Sequence, residues 1–284
     1  MSETKIYWTL HNHCTAGCFY CPSQYWSGEV EHSVNEYLDV TKQICDHFSA
    51  LNRNINWTFD GGEPLAMFDF PMILKLCKDN NGKITLKTNG GRLWLDWWAI
   101  APNVDHLILT YHYWQNKNLI NYIIDTFIKA EKSFEIIVPF RPGHVNEDMQ
   151  RLLELEARYT FKTTPTLLHR QNNNLLGYLD YTEEEIINVM GKDFLFQLLK
   201  DKMTTFENKN EIRMSISPSY SGKLCNVGIE QIYISADGWA TGSSCNNTPL
   251  GNIWNKTFSL PNAPSVCKMI SCVNNEDQKI TKFI

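Results

Sequence analysis

With 284 residues, 43% hydrophobic side chains and a net charge of −5, the chain is long enough for one large domain carrying a small appendage. The acidic balance, with no run of Lys or Arg longer than two, argues against a protein whose main business is binding nucleic acid. No stretch reaches the roughly 18 apolar residues of a membrane span, and the first residues lack an apolar signal-peptide core, so a cytoplasmic location is expected.

The first two thirds alternate short apolar strands with amphipathic helices. Strands are expected at Lys5–Leu10, Ile55–Phe59, Lys83–Lys87, His106–Tyr111, Phe134–Phe140 and Phe161–Leu168, rich enough in Ile, Val, Thr and aromatics to be buried on both faces. Helices are expected at Ser33–Leu51, Phe68–Lys78, Leu93–Ile100, Leu119–Lys132 and Asn146–Tyr159. The first opens with Ser33 and Glu36 at capping-box spacing. Six strands separated by helices predict βα units, a parallel sheet and an open partial (β/α)6 TIM-like barrel, whose ligands bind at the carboxyl ends of the strands. Arg170–Gly177 is polar and reads as a connection, and Tyr181–Phe206 reads as one helix or two, with the acidic run Glu183–Glu185 favouring its start. Gln231–Ser235 and Trp239–Gly242, joined at Ala236-Asp237-Gly238, read as a β-hairpin. The expected division is residues 1–205 for the barrel with its connecting helix, and 206–284 for a second, smaller unit.

In a reducing compartment clustered cysteines are metal ligands before they are disulfides. Of the nine, Cys14, Cys18 and Cys21 crowd one loop after the first strand, and Cys225, Cys245, Cys267 and Cys272 lie near the other end. Three thiolates on one tight loop can hold three irons of a cubane and leave the fourth open to a chelating ligand. Zinc, with His11 or His13 as fourth ligand, is the other reading of the first group. Asp60-Gly61-Gly62-Glu63-Pro64 follows the second strand. It places an acid and a bare backbone, which a ligand can approach closely, at the same edge of the sheet.

Taken together, these residues resemble the radical S-adenosylmethionine (SAM) superfamily over about residues 5–170. Its signature is Cys-x3-Cys-x-aromatic-Cys, with Tyr20 in the aromatic position beside the adenine. Gly61, Gly62, Glu63 and Pro64 match a Gly-Gly-Glu-Pro motif that binds the amino group of SAM. Thr88-Asn89-Gly90 matches a Thr-Asn-Gly common after the third strand, and Thr110 and His112 occupy a ribose-contacting place. Arg141 is a candidate for the carboxylate. The resemblance implies a SAM-binding [4Fe–4S] cluster, a 5′-deoxyadenosyl radical, hydrogen-atom abstraction and an external one-electron donor such as flavodoxin or ferredoxin.

The four later cysteines offer a complement that closes a cluster or a zinc site. The predicted hairpin could bring Cys225 and Cys245 together, and Cys267-x4-Cys272 could share a face of a helical turn. The segment from Cys225-Asn-Val-Gly through Leu250-Gly-Asn-Ile to the last pair resembles the auxiliary-cluster appendage of radical SAM enzymes. The long form, SPASM, has seven cysteines and two clusters. Four cysteines resemble the shortened twitch form with one auxiliary [4Fe–4S] cluster, which would accept or relay an electron.

Other residues have plainer readings. Cys45 and Cys77 fall on apolar helix faces, where a buried thiol is inert, although a hydrogen-atom donor for epimerisation would be a cysteine. His11 and His13 flank the cluster loop. Trp94, Trp97, Trp98, Tyr111, Tyr113 and Trp114 read as packing or as the lining of a pocket. The chain enters the barrel by about residue 5, with no separate peptide-binding unit before it, which favours a small molecule or sugar as substrate, with a ribosomal peptide as the alternative. The expected outcome is oxidation or epimerisation, with crosslinking if a peptide is the substrate. A zinc-stabilised binding module without catalysis is the rival of another class.

Overall fold

All six strands expected in the first two thirds form, and they run in one direction. The computed structural model describes residues 2–21, 28–91, 96–159, 161, 163–172, 175–178, 180–194, 219–245, 249–269, 272 and 275–283. Strands β1 (Ser2–Thr9), β2 (Arg53–Asp60), β3 (Lys83–Thr88), β4 (His106–Thr110), β5 (Ser133–Phe140) and β6 (Thr164–Leu167) pair in that order, each parallel to the next. Between them lie α1 (Val34–Ala50), α2 (Phe70–Asp79), α3 (Trp97–Ile100), α4 (Lys117–Lys129) and α5 (Val145–Tyr159). The result is an α/β fold with a parallel central sheet, a partial TIM-like barrel. Strand then helix, repeated, forces this arrangement, because a crossover between parallel strands must pass over one face of the sheet.

Local signals place the helix starts. Ser33 caps α1 in a full capping box with Glu36, and Asn116 caps α4 by accepting from the Asn118 N–H. The third predicted helix ends at Ile100 as expected, where the chain passes into a 3-10 segment (Ala101–Asn103) containing Pro102; Asp96 caps its described start at Trp97, and residues 93–95 lie outside the described residues.

The expectation that the strands are buried on both faces is corrected. Alternate residues Ile6, Trp8, Ile55, Trp57, Phe59, Ile84, Leu86, Leu107, Leu109, Ile136, Val138 and Phe140 are buried and join one core with the helices. Their neighbours Lys5, Tyr7, Thr9, Asp60, Lys87 and Thr110 face the other way and stay partly or fully exposed. An open barrel leaves its inner face as the wall of a cleft, so polar residues are tolerated there.

Arg170–Gly177, expected as a plain connection, contains an antiparallel pair, β7 (His169–Asn172) and β8 (Leu175–Tyr178). A two-stranded ladder needs backbone pairing and a short turn rather than apolar residues, so hydrophobic alternation does not reveal it. Thr182 and Glu185 form a capping box at the start of α6 (Glu183–Met190), which ends at Gly191, φ 86°. The later part of the predicted helix, 195–206, lies outside the described residues.

Beyond residue 219 the chain returns to the sheet. After β9 (Leu224–Cys225), β10 (Gln231–Ile234) lies parallel to β1, and the predicted hairpin joins it to β11 (Trp239–Thr241) through Gly238, φ 82°. With β12 (Pro249–Asn252) the sheet has the order β12-β11-β10-β1-β2-β3-β4-β5-β6. A second sheet sets β9 between β13 (Ser265–Val266) and β14 (Lys282–Phe283), with α7 (Asn275–Lys279) between the last two in sequence. No helix among the described residues is long and apolar enough to cross a membrane.

Candidate functional site

The loop that follows β1 is held by main-chain bonds before any cysteine is reached. The Gly62 N–H donates to the His11 carbonyl at 2.7 Å, the Glu63 N–H to the His13 carbonyl at 2.8 Å, and the Gly28 N–H to the Asn12 carbonyl at 3.1 Å. Gly61 has φ 149°, and a Cβ at Gly62 would stand 2.3 Å from the His13 oxygen. The bare backbone at positions 61 and 62 therefore serves the close approach of the cysteine loop itself, where the sequence suggested the approach of a ligand.

Glu63 is buried and its carboxylate is heavily used. Oε1 accepts from the Thr88 hydroxyl at 2.6 Å and the Leu65 N–H at 3.0 Å, while Oε2 accepts from the Asn89 N–H at 2.8 Å. Thr88-Asn89-Gly90 then has a local explanation. Thr88 Oγ1 also accepts from the Gly90 N–H, and at Gly90, φ 68°, a Cβ would strain the backbone and press on the Ile123 Cδ1 2.8 Å away. The Asn89 side chain accepts from the Gly91 N–H at 2.7 Å and donates through Nδ2 to Cys14 Sγ at 3.6 Å.

On the β4 side, the Tyr20 hydroxyl and His112 Nδ1 share a short hydrogen bond, and the His112 ring stacks between Tyr20 and Trp114. Burial lowers His112 to about 4, so the ring is neutral at ordinary pH, and pushes Tyr20 up. Buried Gln115, absent from the sequence reading, bridges two strand exits: its Oε1 accepts from the His112 N–H and its Nε2 donates to the Asn89 carbonyl. A glutamine in a loop carries no spacing or periodic signal that could have found it.

Cys14, Cys18, Cys21, Tyr20, Gly61, Gly62, Glu63, Asn89, Thr110 and His112 all line one cleft of about 330 Å³ at the carboxyl ends of the strands. Pro64 is buried in a 3-10 turn (Pro64–Ala66) beneath it and starts that turn, with Glu63 as its cap. Asp60 and Lys87, 3.6 Å apart, and the apolar Ile137, Pro139 and Leu168 are also part of the lining. Arg141 is engaged elsewhere: its guanidinium pairs with buried Asp148 at 2.9 Å and lies 4.2 Å from the Tyr113 ring centroid. Of the aromatics, Trp97 and Tyr111 are buried, Trp98, Tyr113 and Trp114 are exposed, and Trp94 lies outside the described residues. His11 is buried, with Nε2 unpartnered and Nδ1 accepting from the His13 N–H, whereas His13 Nδ1 pairs with the Gly28 carbonyl.

Burial raises the thiols of Cys14 and Cys21, the latter to about 11, so metal loading must release protons. Among the described residues no three His, Cys, Asp or Glu side chains are grouped to hold a single metal ion. Three thiols on one cleft wall, with the Asn89 N–H turned to Cys14, fit a cubane cluster, of which each would hold one iron.

The later cysteines also share a pocket. Cys225 on β9, Cys245 after β11, Cys267 after β13 and Cys272 before α7 line one narrow pocket of about 10 Å³, together with Asp277 and Lys282. The hairpin β10–β11 lies between Cys225 and Cys245 as expected. At Cys267 the chain is extended, its N–H donating to the Lys223 carbonyl and continuing the pairing of β13 with β9, while residues 270 and 271 of the expected helical turn lie outside the described residues. All four are free thiols, and as a donor set four thiols fit a closed four-iron cluster. Cys45 and Cys77 are buried in α1 and α2, away from the cleft, and burial pushes the Cys45 thiol up to about 12.

No protein-family model matches the sequence, and no curated protein matches it. Solved structures share the fold. AnSMEcpe with bound AdoMet is 15% identical, with a TM-score of 0.56 over 89% of this chain and 79% of that one. The same protein with AdoMet and Cp18Cys peptide also gives 0.56 at 15% identity, over 90% of this chain and 78% of that one. Streptococcus suis SuiB is 14% identical, with a TM-score of 0.53 over 88% of this chain and 63% of that one. At these identities the likeness is one of fold, and that fold, in anSMEcpe, binds AdoMet.

Proposed function

We propose that this chain is a radical SAM enzyme. The observation that carries the reading is the convergence on one cleft at the strand ends of ten residues named from their spacing and from the family resemblance. Cys14, Cys18 and Cys21 would hold a [4Fe–4S] cluster, and Gly61, Gly62, Glu63, Asn89, Thr110 and His112 would surround SAM, with Tyr20 against the adenine. Pro64 shapes the turn that presents Glu63. When bound, the cluster supplies the electron that cleaves SAM to a 5′-deoxyadenosyl radical, which abstracts a hydrogen atom from the substrate. The protein's part is to orient and to exclude water. Buried Thr88, Glu63 and Gln115 lock the strand exits, and the stack of Tyr20, His112 and Trp114 closes one side with a neutral imidazole.

Residues 206–284 are read as the auxiliary unit. Cys225, Cys245, Cys267 and Cys272 would hold one twitch-type [4Fe–4S] cluster that assists oxidation or epimerisation of a small-molecule or sugar substrate. A peptide substrate is the second reading, supported by the peptide bound to the same fold in anSMEcpe. The electron would come from a flavodoxin or ferredoxin.

The test is anaerobic purification, with metal analysis and SAM turnover. Brown protein with about eight irons per chain is expected from two four-iron clusters, and dithionite with SAM yields 5′-deoxyadenosine. Colourless protein holding stoichiometric zinc sinks the proposal in favour of a binding module. Cys18→Ala should abolish 5′-deoxyadenosine, and its persistence would refute the first cluster. Cys245→Ala should remove about four irons and leave cleavage partly intact; unchanged iron would refute the second.

A further inference from the structure

Asn89 is pinned from three directions, and the fourth points at sulfur. Its N–H is bound by Glu63 Oε2, its carbonyl by Gln115 Nε2, and its side-chain oxygen by the Gly91 N–H at 2.7 Å. The Gly91 bond settles which end of the amide is which. Only the NH2 end remains, and it stands 3.6 Å from Cys14 Sγ.

Gln115 makes this possible. β3 and β4 pair in register as far as Thr88 and Leu109, and then diverge. The buried Gln115 amide spans the gap beyond, accepting from the His112 N–H and donating to the Asn89 carbonyl. It supplies through a side chain the ladder bond that the parting strands can no longer make. The backbone of Asn89 is thereby fixed relative to the cysteine loop, which Gly62 and Glu63 fix from the other side.

We infer that Asn89, positioned by Gln115, donates an N–H···S bond that sets the reduction potential of the cluster on Cys14, Cys18 and Cys21. The inference rests on the radical SAM reading above. A donor turned to a ligating sulfur stabilises the extra negative charge of the reduced cluster and so raises its potential. Gln115 touches neither cluster nor SAM in this scheme and acts through Asn89.

The test is a redox titration of reconstituted full-length protein, following by electron paramagnetic resonance the signal that SAM perturbs, with iron content measured alongside. Asn89→Ala should keep its iron and shift the potential negative. Asn89→Asp, which retains the acceptor for Gly91 but turns a carboxylate to the sulfur, should shift it further. Gln115→Leu should shift it in the same direction, and Asn89→Ala with Gln115→Leu should match Asn89→Ala alone, because one residue acts through the other. Wild-type protein that takes up no iron overturns the functional reading and this inference together. A normal cluster whose potential is unchanged in Asn89→Ala, or an additive double variant, overturns the inference alone. If Asn89→Ala loses its iron, the Gln115→Leu arm decides: a negative shift supports the inference and none refutes it.

Discussion

At the residue scale, two strand exits are joined atom to atom. Gly62 cannot carry a side chain, since its Cβ would lie 2.3 Å from the His13 carbonyl oxygen while its own N–H is bonded to His11. Gly62→Ala should cost about 1–3 kcal/mol by overpacking, read as a lower urea midpoint, and should weaken iron uptake at the N-terminal cysteines. His11 and His112 give a pH dependence. Burial lowers both from 6.5 to about 4, so the folded chain holds them neutral while the unfolded chain takes up protons below 6.5. Stability should therefore fall as pH drops from about 6.5 to about 4, and His11→Gln should flatten part of that slope in urea titrations. The shared cleft of Cys14, Cys18, Cys21 and Gly61–Glu63 was legible because these residues stand in two short spacings after consecutive strands. Gln115 was not, because its role exists only where two strands distant in sequence leave the sheet side by side.

At the element scale, what was read correctly was local. Ser33 with Glu36 marks the start of α1 within one turn, and Asp237-Gly238 marks the β10–β11 turn, so no distant residue is needed. The β7–β8 pair and the extended form of the chain at Cys267 depend on backbone partners, which composition does not encode. The tie between β5 and α5 is of the same kind. Asp148, fully buried on α5, accepts from the Arg141 N–H and pairs with the guanidinium groups of Arg141 and Arg151. Asp148→Ala should destabilise the protein by about 3–5 kcal/mol, because it strands two cations that are themselves largely buried. Chemical denaturation measures this. The same pairing explains why Arg141, a candidate for a SAM carboxylate, is already occupied in this fold.

At the scale of the whole molecule, β1 is an interior strand. β10 pairs along it from Lys5 to Trp8, the buried Thr4 hydroxyl donates to the Ile229 carbonyl at 2.7 Å, and Ile232, Ile234, Ala240 and Leu250 belong to the same core as the helices. A chain ending at residue 205 would expose that edge and part of that core. It should fail to give a cooperative unfolding transition by circular dichroism, and a truncated chain that unfolds like the full one would contradict this. The sequence by itself determined the parallel α/β fold and marked out the cysteine loop and the motif that faces it, because periodicity of burial and spacing of cysteines are properties of neighbouring residues. Tertiary structure decided what crosses between neighbourhoods. It joined the C-terminal strands to β1, gathered four scattered thiols around one pocket, engaged Arg141 with Asp148, and turned the Asn89 amide toward Cys14. The physical reason is that such hydrogen bonds and contacts join groups the chain keeps far apart until it folds, so no local pattern records them.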